Sequence, residues 1–360
     1  MKRKIGLIFG GRSAEHEVSI NSAKNIFNAV DTNLFEIQLI GISKEGTWYQ
    51  FNTPDVFKKK ALNDSMLTHE DQVVLICSGG SPYVYSLKSG ERRAIECAFP
   101  IIHGTMGEDG TLQGLFKVVQ LPFVGCDVLA SAVGMDKEFM KRLMTESGIK
   151  NSKYLVLRNS TLPQYSEIVK NLGTPFFIKP ANAGSSVGVH KIKTEGDFKL
   201  KIQDSFLYDH KVIAEQFNEG LEIECSVLGL NQKAKASLPG QLKVNHEFYS
   251  YDAKYLDANG AEIIIPARIP ENQIKEVQRL AVKTYEILGC DGLARVDFFI
   301  NKNGDILVNE INTLPGFTQI SMYPKMWEAS GLKYSALITE LIQLGFEKFA
   351  NDRKLKLDFN

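Results

Sequence analysis

The sequence has little that would tie it to a polyanion, a membrane or an oxidising compartment. Lys+Arg and Asp+Glu each number 42 in 360 residues, so neither sign is in excess and no nucleic acid or anionic surface is demanded as partner. No apolar run approaches the roughly 20 residues of a membrane span. The basic start MKRK leads only to IGLIF before Gly-Gly-Arg, too short for a secretory signal. Five cysteines (Cys77, Cys97, Cys126, Cys225, Cys290) are scattered, odd in number and form no C-x-x-C, which points to a reduced, cytoplasmic setting with small buried thiols. No 20–50-residue repeat or low-complexity tract is present.

Two familiar phosphate-binding fingerprints are missing as well. The glycines after the first strand read G-x-x-x-G-G, not the G-x-G-x-x-G of an NAD-dependent dehydrogenase. The small-residue loop AGSSVG lacks the G-K-[ST] of a Walker A motif, and no helix follows it.

What is there is 44% hydrophobic and long enough for two or three domains. KIGLIF, INSAKNIFNAV, FEIQLIGIS, QVVLIC and CAFPIIHG alternate strand and helix patterns, which predicts βαβ units and a parallel sheet. Around Gly125 the character shifts toward a smaller α+β unit, with one helix rich in good formers inside VGCDVLASAVGMDKEFMKRLMTESGIKNSKYLVL, and near Val212 a run of longer strands begins. We therefore expect an α/β and α+β protein with units at 1–125, 126–212 and 213–360.

The strongest local signal is RVDFFINKNGDILVNEIN. Asn303-Gly304 favours a two-residue type I′ turn, which would set Lys302 opposite Asp305, Asp297 opposite Glu310 and Arg295 opposite Asn312. Period-2 alternation puts Arg295, Asp297, Glu310 and Asn312 on one face, with opposed Cβ atoms about 5 Å apart. Facing carboxylates repel, and a divalent cation resolves the conflict: Asp, Glu and Asn offer hard oxygens to Mg²⁺ that substrate phosphates also bind. Arg295 beside them can hold an oxyanion. The structural alternative is a charged hairpin with Arg295 and Asp297 in surface pairs.

Upstream, FFIKPANAGSSVGVHKI ends a strand at Lys179-Pro180 and opens a loop whose bare backbone can close on phosphate oxygens, with Lys179 adding a point charge. Glu215 and Glu222, in VIAEQFNEGLEIECSVLG, stand at strand edges where they could meet an adenine amino group or ribose hydroxyls. His103, in IIHGTMGEDGTLQGLF, lies at a strand end where open α/β sheets place ligands. EFYSYDAKYLDANGAE, residues 247 to 262, reads as a water-excluding lid or a packed Ω-loop. The opening GLIFGGRSAEHEVS has a phosphate loop's glycines but carries Glu15, His16 and Glu17.

Taken in order, FGGRSAEHEVS, HGTMGEDGTLQGLF, GMDKEFMK, KPANAGSSVGV, EQF with GLEIECSVLG, YDAKY, and RVDFFI with NEINTLPGFTQISMYP resemble the D-alanine–D-alanine ligases of the ATP-grasp superfamily, over roughly residues 4 to 345. The resemblance implies a three-domain fold in which the two later units sandwich ATP and the first presents substrate. It places Lys137 and Lys179 on the ATP phosphates and Ser185 and Ser186 in the covering loop. Glu215, Phe217, Glu222 and Phe248 complete the nucleotide site. Asp297, Glu310 and Asn312 would hold two Mg²⁺ (or Mn²⁺) ions.

Glu15 would take the ammonium of the first D-alanine, with His103 beside it and with Ser185 and Tyr255 linking to Glu15 across the domains. Lys254 and Ser321 would receive the second D-alanine's carboxylate, with Met322 adjacent. Arg295 and the Gly316 N–H would stabilise the tetrahedral intermediate. The chemistry implied is attack of the first carboxylate on the γ-phosphate, then attack of the second amine on the acyl phosphate, for peptidoglycan precursor synthesis by a homodimer in the cytoplasm.

Tyr255 is the residue expected where two D-alanines are joined; relatives preferring D-lactate or D-serine usually differ there. Ser250 stands where many relatives have Asp, and Ala181-Asn182-Ala183 departs from commoner loop sequences. A D-alanine–D-lactate or D-serine ligase is the alternative within the fold. A non-catalytic nucleotide-binding module should have lost the metal ligands, which are all present here.

Overall fold

The computed structural model describes residues 1–244 and 261–356. Lid-motif residues Phe248, Ser250, Lys254 and Tyr255 lie outside them. Three sheets organise the rest. The first is seven-stranded, in the order β6-β5-β4-β3-β2-β1-β7, formed by β1 (Arg3–Gly10), β2 (Phe35–Ile42), β3 (Trp48–Phe51), β4 (Asp71–Ser78), β5 (Ser81–Ser86), β6 (Arg92–Ala94) and β7 (Cys97–Pro100). Only β1 pairs in parallel, with β2 and β7. QVVLIC, expected in a parallel ladder, instead forms an antiparallel hairpin, β4 with β5, because the Gly79-Gly80 turn, both residues at positive φ, folds the chain straight back.

β1 is buried on both faces. Ile5, Leu7 and Phe9 point to one core, and Ile8, with Ile40 of β2, to another that contains Phe116 of α2 (Thr111–Val118). Helix α1 (His16–Ala29) follows β1 and covers the first core.

Where one helix was expected after Gly125 there are two, α3 (Val128–Met135) and α4 (Lys137–Glu146). Asp136 separates them: its side chain accepts from the Glu138 and Phe139 amides, restarting the helix with an N-cap. The second sheet has the order β10-β9-β11-β8, from β8 (Tyr154–Arg158), β9 (Phe176–Pro180), β10 (His190–Ile192) and β11 (Lys211–Gln216). Helices α5 (Tyr165–Leu172) and α6 (Glu195–Ser205) pack on it around Leu157, Ile168, Ile178, Phe198 and Val212.

The third sheet has the order β15-β14-β12-β16-β17, with β13 (Lys235–Ala236) attached to β12. Its strands are β12 (Gly220–Gly229), β14 (Gly240–Val244), β15 (Ala261–Ile264), β16 (Gly292–Asn301) and β17 (Ile306–Asn312). One face packs on α4 and on α7 (Glu271–Ile287), through Met140, Met144, Val277 and Tyr285. Helices α8 (Met322–Ala329) and α9 (Tyr334–Asp352) then close the chain. Their Tyr323, Trp327, Leu337 and Leu341 join Leu7, Phe9, Leu293 and Phe317 in the first core, so the first and third sheets share apolar interior. Four of the five cysteines are buried as free thiols; Cys77 is exposed.

Candidate active site

The β16–β17 hairpin carries the site, by a route that differs from expectation. The loop has three residues: the Gly304 amide donates to the Asn301 carbonyl, Gly304 takes the left-handed conformation, and Asn301 pairs with Asp305. Continued regularly, that ladder would set Asp297 opposite Asn309 and turn Glu310 away. A bulge between Asp297 and Phe298 absorbs one residue of β17, so Asp297 faces Glu310 and Arg295 faces Asn312, as expected. The bulged Asn309 places its side-chain oxygen 3.5 Å from Lys179 Nζ.

β12 adds a third member to this row: Glu224 lies opposite Asp297, and Ser226 opposite Arg295. Glu224, Asp297 and Glu310 thus run side by side across three strands. Arg295 donates from Nε and its terminal nitrogen to the two Asp297 oxygens, both at 2.7 Å, and its Nε is 3.0 Å from Glu224. These are shielded contacts, not the surface pairs of a structural hairpin. Burial opposes the guanidinium's charge, but Asp297, Glu224 and Glu310 outweigh it and hold its pKa far up.

With Asp297 turned toward Arg295, the described residues contain no cage of three or more His, Cys, Asp or Glu side chains ready for a metal. The donor set nevertheless fits Mg²⁺: two carboxylates and an amide oxygen, too few for a closed cage and suited to an ion also bound by phosphates.

The lysines converge from two directions. Lys137, first residue of α4, donates to the Ala183 carbonyl at 2.7 Å and lies 4.0 Å from Glu310, joining the small-residue loop to the hairpin. Lys179 on β9 is 3.0 Å from one oxygen of Glu215, and the buried Lys141, one turn after Lys137, is 2.7 Å from the other. Burial would push the Glu215 carboxyl up, but the two ammonium groups hold it below its usual range. Burial in turn lowers Lys141. Phe217 packs on Phe177 with ring centroids 5.9 Å apart, and Lys191 Nζ lies 4.4 Å from its ring centre. Glu222 shares the β12 face of Glu224 by alternation, between Leu242 and Phe299 of the flanking strands.

The opening loop sorts its three charged residues. His16 is buried and structural: Nδ1 bonds the Gly11 carbonyl at 2.7 Å, and Nε2 accepts from the Leu62 amide at 2.9 Å. Glu17 pairs with Lys44. Glu15 faces the interior and accepts from Ser185 Oγ, bringing the first sheet's loop onto the small-residue loop, where Ser185 and Ser186 both have positive φ. It also lies against Gly104, where any Cβ would stand 2.9 Å from its Oε2.

Next to it, His103 Nδ1 is 3.2 Å from the Leu314 carbonyl and 3.4 Å from Glu108, while Nε2 meets Ser22 Oγ at 3.2 Å. Burial and the nearby Glu15 charge push the Glu108 carboxyl up to about 7, against the lowering effect of His103. Burial opposes charge on His103, but Glu108 and Glu15 raise it overall. Across this cleft, Ser321 stands at the N-cap position of α8, its Oγ turned back to accept from the Thr318 amide at 2.9 Å and not capping the helix amides, and Gly316 lies close enough that a Cβ would meet that Oγ at 2.8 Å. Met322 is buried against Gly240. Sequence reasoning missed Ser22, Glu108, Lys141, Glu224 and Asn309. The signals for some were faint: Lys141 follows Lys137 at helical spacing, and Glu224 follows Glu222 at strand spacing.

Two antiparallel sheets whose lysines and facing carboxylates converge on a small-residue loop, joined to a first sheet with a parallel centre, define a nucleotide-dependent ligase of ATP-grasp architecture. Residues 4–126 match the family described as D-ala D-ala ligase N-terminus and residues 143–343 the D-ala D-ala ligase C-terminus. The chain therefore belongs to the D-alanine–D-alanine ligase family. It is 47% identical to the D-alanine–D-alanine ligase of Shouchella clausii, over 99% of this chain and 98% of that one. It is 44% identical to D-alanine–D-alanine ligase A of Escherichia coli, with 99% of each covered. Among solved structures it resembles the D-alanine-D-alanine ligase of Coxiella burnetii (TM-score 0.86, 38% identity, 98% and 96% covered). It also resembles the VanG D-Ala:D-Ser ligase of Enterococcus faecalis (0.84, 36%, 96% and 100%).

Proposed function

We propose that this chain joins two D-alanines into D-alanyl-D-alanine, with ATP converted to ADP and phosphate, in peptidoglycan precursor synthesis. Fold likeness extends to a D-Ala:D-Ser ligase, but the full-length curated relatives cited at 44–47% identity carry the D-alanine–D-alanine name. The observation that carries the reading is the contact of Glu15 with Ser185, which sets an amino-acid-binding carboxylate against a phosphate-binding loop.

The roles we assign follow from that juxtaposition. Glu15 binds the ammonium of the first D-alanine, and His103 orients it; its carboxylate then attacks the γ-phosphate of ATP to give an acyl phosphate. Lys137 and Lys179 hold the phosphates under Ser185 and Ser186, and Glu215, Phe217, Glu222 and Phe248 hold the nucleoside. Asp297, Glu310 and Asn312 would hold two Mg²⁺ (or Mn²⁺) ions, which neutralise the transferring phosphoryl group when bound. Ser321, at a helix N-terminus, and Lys254 receive the second D-alanine's carboxylate, with Met322 beside them.

The amine of that second substrate attacks the acyl carbonyl, and Arg295 with the Gly316 N–H meets the oxyanion. Tyr255, outside the described residues, would complete the link from Ser185 to Glu15. The working units are residues 1–125 for the first substrate and 126–212 with 213–360 for ATP; the form is a cytoplasmic homodimer, which light scattering checks. No helix among the described residues is long and apolar enough to cross a membrane. The deciding assay is phosphate release from Mg-ATP with D-alanine, with L-alanine, and with D-alanine plus D-lactate. Release should require D-alanine and yield D-alanyl-D-alanine; release indifferent to it overturns the reading.

A further inference from the structure

Helix α1 reaches the site twice. Its first turn follows Glu15, and about two turns on it presents Ser22 and Asn25 to the loop that carries Gly316. Ser22 is fully buried and has two polar contacts: its Oγ accepts from the Phe317 amide at 3.3 Å and meets His103 Nε2 at 3.2 Å. Asn25 donates from Nδ2 to the Phe317 carbonyl at 3.1 Å, where Tyr334 also donates at 3.2 Å. His103 Nδ1 meets the Leu314 carbonyl on the near side of Gly316 at 3.2 Å. The backbone is therefore held immediately before and after the Pro315-Gly316 pair, from the first sheet's side of the molecule. One turn earlier on α1, Ser19 ties the helix to the Gly10 amide and the Ile101 carbonyl, so the strut itself is fixed to the ends of β1 and β7.

A buried serine between an imidazole and an amide of another unit is not needed for packing; alanine would fill nearly the same space. The arrangement makes α1 a spacer between the ammonium site at Glu15 and the amide at Gly316. We propose that Ser22 is a positioning residue for the second chemical step: with His103 it sets the Gly316 amide where the oxyanion forms. This rests on the assignment of Gly316 to the oxyanion. Ser22 touches neither substrate nor nucleotide; it acts through the Phe317 amide and through His103.

Such a role predicts uncoupling. If the Gly316 amide drifts, the amine attack slows while phosphoryl transfer continues, and the waiting acyl phosphate reacts with water to give back D-alanine and phosphate. The test compares phosphate released with dipeptide formed in the full-length enzyme and in Ser22→Ala, Asn25→Ala and Arg295→Lys. The unmodified enzyme should give one phosphate per dipeptide. Ser22→Ala should lower dipeptide formation by about tenfold to a hundredfold, the scale of a small misplacement near the chemistry, with phosphate exceeding dipeptide.

Asn25, half-buried, is the second handle on the same loop should Ser22→Ala fold poorly, and melting curves identify that case. If both variants melt normally and keep a one-to-one ratio, or lose both products in step, the positioning role is refuted. Should Arg295→Lys uncouple while they do not, the oxyanion assignment stands and only the Ser22 inference falls. If Arg295→Lys also stays coupled, the oxyanion assignment itself falls, and the inference with it.

Discussion

Glu108 and His103 form a buried acid–base pair whose two members are displaced in the same direction. Glu108 titrates near 7 in the folded protein, raised by burial and Glu15, and His103 is raised by Glu108 and Glu15 against its own burial. A folded-state pKa above the unfolded one means a stabilising contribution that is complete below the unfolded value and lost as pH rises through the folded value. Glu108 therefore contributes fully below about 4.5 and ceases to contribute above about 7; His103 slopes the same way. Glu108→Gln removes the first slope and reduces the second. Melting curves of the two proteins should converge as pH rises through that window, with the wild type relatively more stable at its acid end; parallel curves would show that the pair does not titrate there. The residues legible in the sequence were those in recognisable strings, such as Glu15 or Lys179. Glu108, Lys141 and Ser22 were not, because what distinguishes them is the partner that folding brings, and Ser22 in SINSAKN looks like any serine on a helix.

At the scale of elements, backbone geometry decided where expectation and structure parted. Asn303-Gly304 announces a turn, but whether the loop has two or three residues depends on which residue takes the left-handed conformation, and that follows from the whole hairpin's twist. The facing of Asp297 and Glu310 was anticipated correctly because a longer loop and a compensating bulge cancel. The single helix expected within VGCDVLASAVGMDKEFMKRLMTESGIKNSKYLVL became two because Asp136 competes for backbone amides, a capping tendency that the apolar pattern around it conceals.

Two left-handed glycines give a matched test. Gly304→Ala places a Cβ no nearer than 3.5 Å to Gln273, so only the backbone objects, at about 1–2 kcal/mol, with turnover unchanged. Gly104→Ala carries the same backbone cost and crowds Glu15, so D-alanine-dependent turnover should fall at least tenfold. Denaturant midpoints and steady-state kinetics separate the two; equal loss of turnover in both would contradict the placement of Glu15.

Across the whole molecule, sheets and cores divide the chain differently. The three sheets were foreseeable from strand patterns, but periodicity says that a face is buried, not what covers it. The second sheet and its helices enclose their own core, from Leu157 to Ala214. The first sheet shares its interior with Leu228, Leu293, Phe317 and the two last helices. Amide hydrogen exchange should therefore show the segment from Tyr154 to Gln216 opening at lower free energy than β1 and β16, which should exchange together, and Mg-ATP should protect that segment selectively. Exchange of β1 and β16 at clearly different free energies would argue against a common core.

That shared interior limits how the chain can be cut. A fragment ending near Gly125 would keep its sheet but lose the covering supplied by Phe317, Tyr323, Trp327, Leu337 and Leu341, leaving one side of β1 greasy and open to water. The segment from Tyr154 to Gln216 carries its hydrophobic filling with it. As a piece to transplant into another protein, that middle segment is the one built to travel.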